Sequence, residues 1–239
     1  MKNKTLWKQV GAAAIAAAMV MSTVPATPVQ AAGGKTLAVS SQKQLNQALK
    51  TVKGKNAVIT VKAGKNVKIT IPKGTYKVTI RVVGKKAAVV NNGTVKEIVV
   101  NSKGTVAIKN NGTIKKVTVQ NAKSVSFSGN HKKAVPVVVN AEDVSMILAA
   151  PAKITAKKDV NIVLKKGAEK SSITCTKNAQ AQVDNQTKKA ISVKIADGTT
   201  LKVESGESCT ITPKGKKEDT SGEDKTDEKD KTDGKDQKF

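Results

Sequence analysis

The sequence predicts an all-β chain: a single-stranded parallel β-helix (a solenoid) of about eight short coils, capped by an α-helix at its N-terminal end. Three observations lead there. Asn91-Asn92-Gly93-Thr94-Val95-Lys96 returns, nearly unchanged, as Asn110-Asn111-Gly112-Thr113-Ile114-Lys115, an offset of 19 residues. Two rows of short β-branched runs follow that period. One centres on Ile69, Val89, Ile108, Phe127, Met146, Ile162, Ala181 and Leu201, the other on Ile80, Ile98, Val117, Val137, Ile154, Ile173, Val193 and Ile211. Within each run, apolar and polar residues alternate, as in a strand with one face inside and one in water.

The elements read in order. Ser40-Ser41 precedes Gln42–Val52, in which Leu45, Ala48, Leu49 and Val52 fall on one helical face. Ser41 is the expected N-cap and Gly54 the expected stop. Such a helix would cover the open end of the first coil. Strands follow: Val78, Ile80 and Val82 share a face against Thr79 and Arg81, and Ile191, Val193 and Ile195 against Ser192 and Lys194. Between them lie Asn92-Gly93, Asn111-Gly112, Gly129-Asn130, Lys166-Gly167 and Asp184-Asn185 at one corner, and Asn101–Gly104, Asn121, Asn140, Lys177-Asn178 and Asp197-Gly198 at the other. These residues suit the left-handed backbone that corners often need. Asn-Gly is also the strongest hairpin signal, so an antiparallel meander competes. A meander has no reason to repeat the same turn at the same phase, and the solenoid does.

Ser40–Leu49, then Ala57-Val58-Ile59-Thr60-Val61, then Ile69–Tyr76 resemble the opening of secreted right-handed parallel β-helix proteins with a pectate-lyase-like fold, in particular uncharacterised cell-surface members from Gram-positive bacteria. The resemblance spans roughly Leu37 to Ile211 and implies a fold and a surface location. The coils are shorter than is usual in that family.

The ends read differently. Lys2, Lys4 and Lys8, the apolar stretch Val10–Val20 and the small-residue site Val29-Gln30-Ala31 form a secretory signal pattern over 1–32, with cleavage expected near Ala31 or Ala32. Residues 33–56 are expected to form the cap, 57–213 the solenoid, and 214–239 a disordered tail of Lys, Asp, Glu, Thr, Ser and Gly. The tail serves as a spacer, a wall-threading segment or a solubilising end.

Between the ends lie 32 basic and 9 acidic residues, a net charge of +23, with Arg81 the single Arg. Such a field attracts polyanions, and lysine ammonium groups act as point charges rather than forks. The expected contacts are diffuse: Arg81, Lys96, Lys115, Lys116, Lys132, Lys133, Lys153 and Lys194. The acids, Glu97, Glu142, Asp143, Asp159, Glu169, Asp184, Asp197, Glu204 and Glu207, form no pair in phase from one coil to the next. No metal, cofactor or catalytic set is expected from them. His131 reads as a polar loop residue, Phe127 as core and Tyr76 as an exposed corner residue. The outward positions show no threonine ladder. Cys175 and Cys209 share the inward parity two coils apart, too far to bridge, and read as buried thiols.

The functional expectation is a secreted or surface-associated, non-enzymatic binder of anionic polymers such as teichoic acid, acidic polysaccharide or host glycan. It has no specific nucleic-acid partner and no integral membrane contact. A polysaccharide lyase or hydrolase on the same scaffold and a structural spacer are the alternatives.

Overall fold

The computed structural model describes residues 35–64, 66–213 and 217–219. The signal pattern lies outside the described residues, as does all of the tail except 217–219. The chain is an all-β parallel solenoid of about eight turns with one helix near its N-terminus.

Two rows of strands stack along it. Sheet 1 begins at Lys35–Val39, which pairs parallel with Ala57–Ala63. Next come the first halves of the long strands Thr75–Asn91 and Thr94–Asn110, then Val117–Asn121, Val135–Val139, Ala152–Ala156, Ser172–Cys175 and Ile191–Lys194. Sheet 2 runs from Val67–Ile71 through the second halves of the same long strands to Ser124–Ser128, Val144–Ala149, Val160–Leu164 and Ala181–Asn185. A short third side, Thr75-Tyr76, Thr94-Val95 and Thr113-Ile114, closes the early coils. The solenoid therefore starts at Lys35, inside the segment expected to be cap alone.

The period placed sheet 1 in register. Ile80, Ile98, Val117, Val137, Ile154, Ile173 and Val193 are successive partners. Sheet 2 departs by two residues: Leu148, not Met146, stacks on Phe127. An even slip keeps the inward parity, so both residues remain buried. The core is the continuous column of these inward Val, Ile, Leu and Phe side chains. Each is worth about 1.5–3 kcal/mol on full burial.

The helix Gln42–Thr51 starts at Ser41, whose side chain accepts from Gln44 N, and buries Leu45, Ala48 and Leu49. Gly54 follows with φ +74. Gln42 also supplies a ladder partner to the first strand of sheet 2. Its Oε1 accepts from Thr70 N at 2.6 Å and its Nε2 donates to Thr70 O at 2.8 Å.

Two corner expectations need correction. Glycine is needed at Gly93 and Gly112 for close approach and not for a positive φ, which neither has. A Cβ on Gly93 would lie 2.5 Å from Pro72 O, and one on Gly112 would collide with the Gly93 carbonyl. The corners of successive coils stack so tightly that only a missing side chain fits.

The C-terminal end is the larger correction. Leu201 and Ile211 were expected to continue rows one and two. Instead Thr200–Val203 turns back antiparallel on Ile191–Lys194, and Ser208–Ile211 lies antiparallel on Ala181–Asn185. The two strands have exchanged sheets and reversed direction. The turn Ile195–Thr199, with Gly198 at φ +93, is too short for a crossover and makes a hairpin. Lys217–Asp219, in the segment expected to be disordered, adds a further antiparallel strand.

Candidate functional site

Where the chain enters sheet 1, all but one of the coils from Lys55 to Lys189 present an exposed lysine at nearly the same place. Lys55, Lys77, Lys96, Lys115 and Lys133 are followed by a break at Ala150-Pro151, and then by Lys170 and Lys189. Coils repeat every 4.8 Å or so, so these ammonium groups line one edge parallel to the solenoid axis. Of the predicted contacts, Lys96, Lys115, Lys132 and Lys133 lie on this edge. Lys55, Lys77, Lys170 and Lys189 were missed. Superposing the chain on its own period would have found them, because each stands one to two residues before the stretch that pairs in sheet 1.

The edge begins at a concavity of about 700 Å³ lined by Lys35, Lys55, Lys77, Asn56 and Thr51. No acid lines it.

A second lysine edge, where sheet 1 passes to sheet 2, carries Lys85, Lys86, Lys103 and Lys123 and then meets acids. Here Lys158 Nζ lies 2.8 Å from Glu142 Oε1, both exposed, beside Asp143, Asp159 and Asn178. The hydrogen bond and charge of Lys158 hold the Glu142 carboxyl below the usual carboxylate range, and Glu142 raises Lys158 in return. Asp159 Oδ1 accepts from Gln180 N at 2.8 Å. A general acid needs the opposite shift, so Glu142 is suited to a structural role.

The remaining predicted contacts sit on the face of sheet 1. Lys116 is compensated by Glu97 at 3.1 Å, and Glu97 also accepts from Thr118 Oγ1 at 2.6 Å. Lys153 and Lys194 are exposed. Arg81 is half-buried, and its buried Nε has no partner. One outward column of this face reads Thr60, Arg81, Val99, Thr118, Val138, Thr155, Thr174. It comes closer to a threonine ladder than the sequence pattern suggests, but Arg81 and two valines interrupt it.

His131 is not a simple loop residue. Its Nδ1 faces Asn110 O at 3.2 Å and its Nε2 faces Pro151 O at 2.9 Å, with the ring edge-on to Phe127 at 5.2 Å. It clasps the coil before to the coil after. Tyr76 is half-buried and donates to Lys73 O at 3.2 Å. Cys175 and Cys209 are buried thiols, but in different sheets, because Cys209 pairs with Val183. Burial pushes the Cys175 thiol up to about 11. Among the described residues, no group of three or more His, Cys, Asp or Glu is placed to hold a metal ion.

No protein-family model matches the chain, and neither the curated proteins nor the solved structures contain a match.

Proposed function

We propose that this chain is a secreted or surface-associated, non-enzymatic solenoid that binds linear anionic polymers along the lysine edge leading into sheet 1. The supporting observation is the recurrence of an exposed lysine at one corner from Lys55 to Lys133. A polymer lying along the axis meets one ammonium per coil. Each contact is weak and strongly hydrated, and the sum is multivalent and sensitive to salt. Candidate ligands are teichoic acid, acidic polysaccharide and host glycan. The signal pattern over 1–32 supports export, and the charge of +23 between the ends supports the polyanion.

The test is a binding titration of the full mature chain against teichoic acid, an acidic polysaccharide and a neutral polysaccharide at low salt and near 1 M, where the screening length falls to about 3 Å. Binding of both anionic polymers, mutually competitive and lost at high salt, is expected. Salt-resistant binding of the neutral polymer alone would sink the proposal.

A further inference from the structure

The outward face of sheet 2 carries little of the charge found elsewhere. Its central column, read coil by coil, is Lys68, Ala88, Ala107, Ser126, Ile147, Val163, Asp184. The five inner members are half-buried, small or apolar, and uncharged. The two ends carry opposite charges. Neither Lys68 nor Asp184 makes an ion pair among the described residues, and Asp184 accepts only from the Gln186 amide, at 2.6 Å.

We propose that this face binds a second copy of the chain, sheet against sheet, about a two-fold axis that runs parallel to the strands at the level of Ser126. Such an axis preserves strand direction and inverts the stack. Lys68 then faces Asp184 of the other copy, Ala88 faces Val163, Ala107 faces Ile147, and Ser126 faces itself. Small meets large at both intermediate levels, and unlike charges meet at both ends. An isologous interface requires this self-complementarity. The flanking columns obey the same operation without a clash of like charges. Lys86 falls opposite Asn161 and Lys109 opposite Ala149, while Thr105, Ser124, Ser145 and Ser128 supply small polar contacts. Parallel strand directions across the interface suit aligned sheet packing, at a separation of about 10 Å. The face of sheet 1, with Arg81, Lys116, Lys153 and Lys194, offers no comparable surface.

Area sets the strength. Five-residue strands and seven coils give a face of about 17 by 34 Å. Two such faces bury about 1,100 Å², at the lower bound for a specific interface. The dimer is therefore weak and concentration-dependent. Its salt dependence is opposite to that of polymer binding: salt screens the repulsion between two highly basic chains and strengthens the dimer.

Sedimentation velocity on the full mature chain, without polymer, over a hundredfold range of concentration at low and at 0.5 M salt, tests this. A monomer–dimer equilibrium shifted toward dimer by salt is expected. Ser126→Lys places a cation against its own copy on the axis and should abolish the dimer. Thr155→Lys on the other sheet should leave it unchanged, with both variants checked by thermal melting. Lys68→Glu should raise the dissociation constant several-fold, and K68E/D184K should restore it. A monomer at every concentration in 0.5 M salt overturns the proposal. So does a Ser126→Lys chain that dimerises like the parent, or a charge swap that restores nothing. Polymer binding is measured separately, so either idea can fail alone.

Discussion

Asn91 and Asn110, equivalent residues of adjacent coils, are joined inside the stack: Asn91 Nδ2 donates to Asn110 Oδ1 at 2.8 Å, and both residues are fully buried. Asn91 also donates to Gly93 O at 2.9 Å and accepts from Gly93 N at 3.3 Å, and Asn110 accepts from Gly112 N at 3.3 Å. The repeated Asn-Asn-Gly is thus a device for two coils. The first Asn turns inward and satisfies the corner backbone, the second forms an exposed ladder with its neighbour (Asn111 Nδ2 to Asn92 Oδ1, 3.0 Å), and Gly lets the corners stack. The ladder ends at the next coil, where Gly129 has no side-chain carbonyl to accept, and Asn110 Nδ2 is left without a partner.

That asymmetry orders two substitutions. Asn91→Ala removes a side chain with four polar contacts, the fourth a donation from Nδ2 to Thr113 O at 3.3 Å, and strands buried corner groups, a cost of about 1–3 kcal/mol. Asn110→Ala loses fewer bonds and also relieves an unpaired donor, so its cost is smaller. Urea unfolding of the two variants compares them directly. Equal midpoints would mean that the buried ladder contributes little.

The lysine edge predicts an additive response. Lys96→Glu, Lys115→Glu and Lys133→Glu, introduced in sequence, should weaken polymer binding stepwise and flatten its salt dependence. Lys116→Glu should do less at each step, because Glu97 already compensates that ammonium at 3.1 Å. Isothermal titration at low salt reads both series. Complete loss at the first substitution would point to one discrete site.

How far the sequence was legible follows from which interactions are local. The register of sheet 1 from Ile80 to Val193 followed from periodicity alone, since a regular coil repeats its own spacing. The slip between Phe127 and Met146 did not, because two additional residues in a coil leave the alternation intact. The reversal after Ile195 was hidden for a related reason. Leu201, Val203, Cys209 and Ile211 alternate equally well in either direction, and only the shortness of the turn distinguishes hairpin from crossover. Lysine was visible as composition and as scattered outward positions. Its concentration on an edge emerged once the corners were stacked, as did the bare face of sheet 2. His131 gave no signal at all, because its partners are backbone carbonyls 20 and 21 residues away in sequence.

Cys175 should be inert in the folded chain. With burial pushing its thiol up to about 11, the thiolate fraction at pH 8 is about one in a thousand, and the sulfur is sealed inside the stack. Iodoacetamide at pH 8 should leave Cys175 unmodified in native buffer. In denaturant, without reductant, mass spectrometry should find two adducts per chain. Rapid native labelling of Cys175 would show that the adjoining coils open.

Gln42 is a side chain acting as a strand. Its two bonds to Thr70 occupy backbone groups that the first strand of sheet 2 would otherwise leave open at its edge. Gln42→Glu keeps the shape but replaces a donor with an acceptor facing Thr70 O. A loss of about 1–3 kcal/mol is expected from that unsatisfied carbonyl, read as a lower urea midpoint. Gln42→Leu should lose the same bonds. A midpoint unchanged in both variants would assign the capping to the buried face of the helix alone.

The antiparallel return at the far end does for the last coil what Gln42 and its helix do for the first. Ile191–Lys194 and Ala181–Asn185 would otherwise expose a full row of peptide groups on each sheet, open to pairing with another chain. Thr200–Val203 and Ser208–Ile211 cover both rows, Lys217–Asp219 covers the second of them in turn, and because these strands run backwards no parallel coil continues from them. Asn185 ties the return down: its Nδ2 donates to Lys189 O, Val203 O and Glu204 O, each at 2.9 Å, while its Oδ1 accepts from Thr187 N and Oγ1. Truncation before Thr199 should therefore leave the upstream coils folded but convert the chain to large, thioflavin-positive assemblies at moderate concentration. Asn185→Ala in the full chain should produce the same assemblies more slowly, by letting the return detach. Light scattering follows both. A truncated chain that stays as small as the parent would show that the coils above need no cover, and that the return serves something other than protection of the edges.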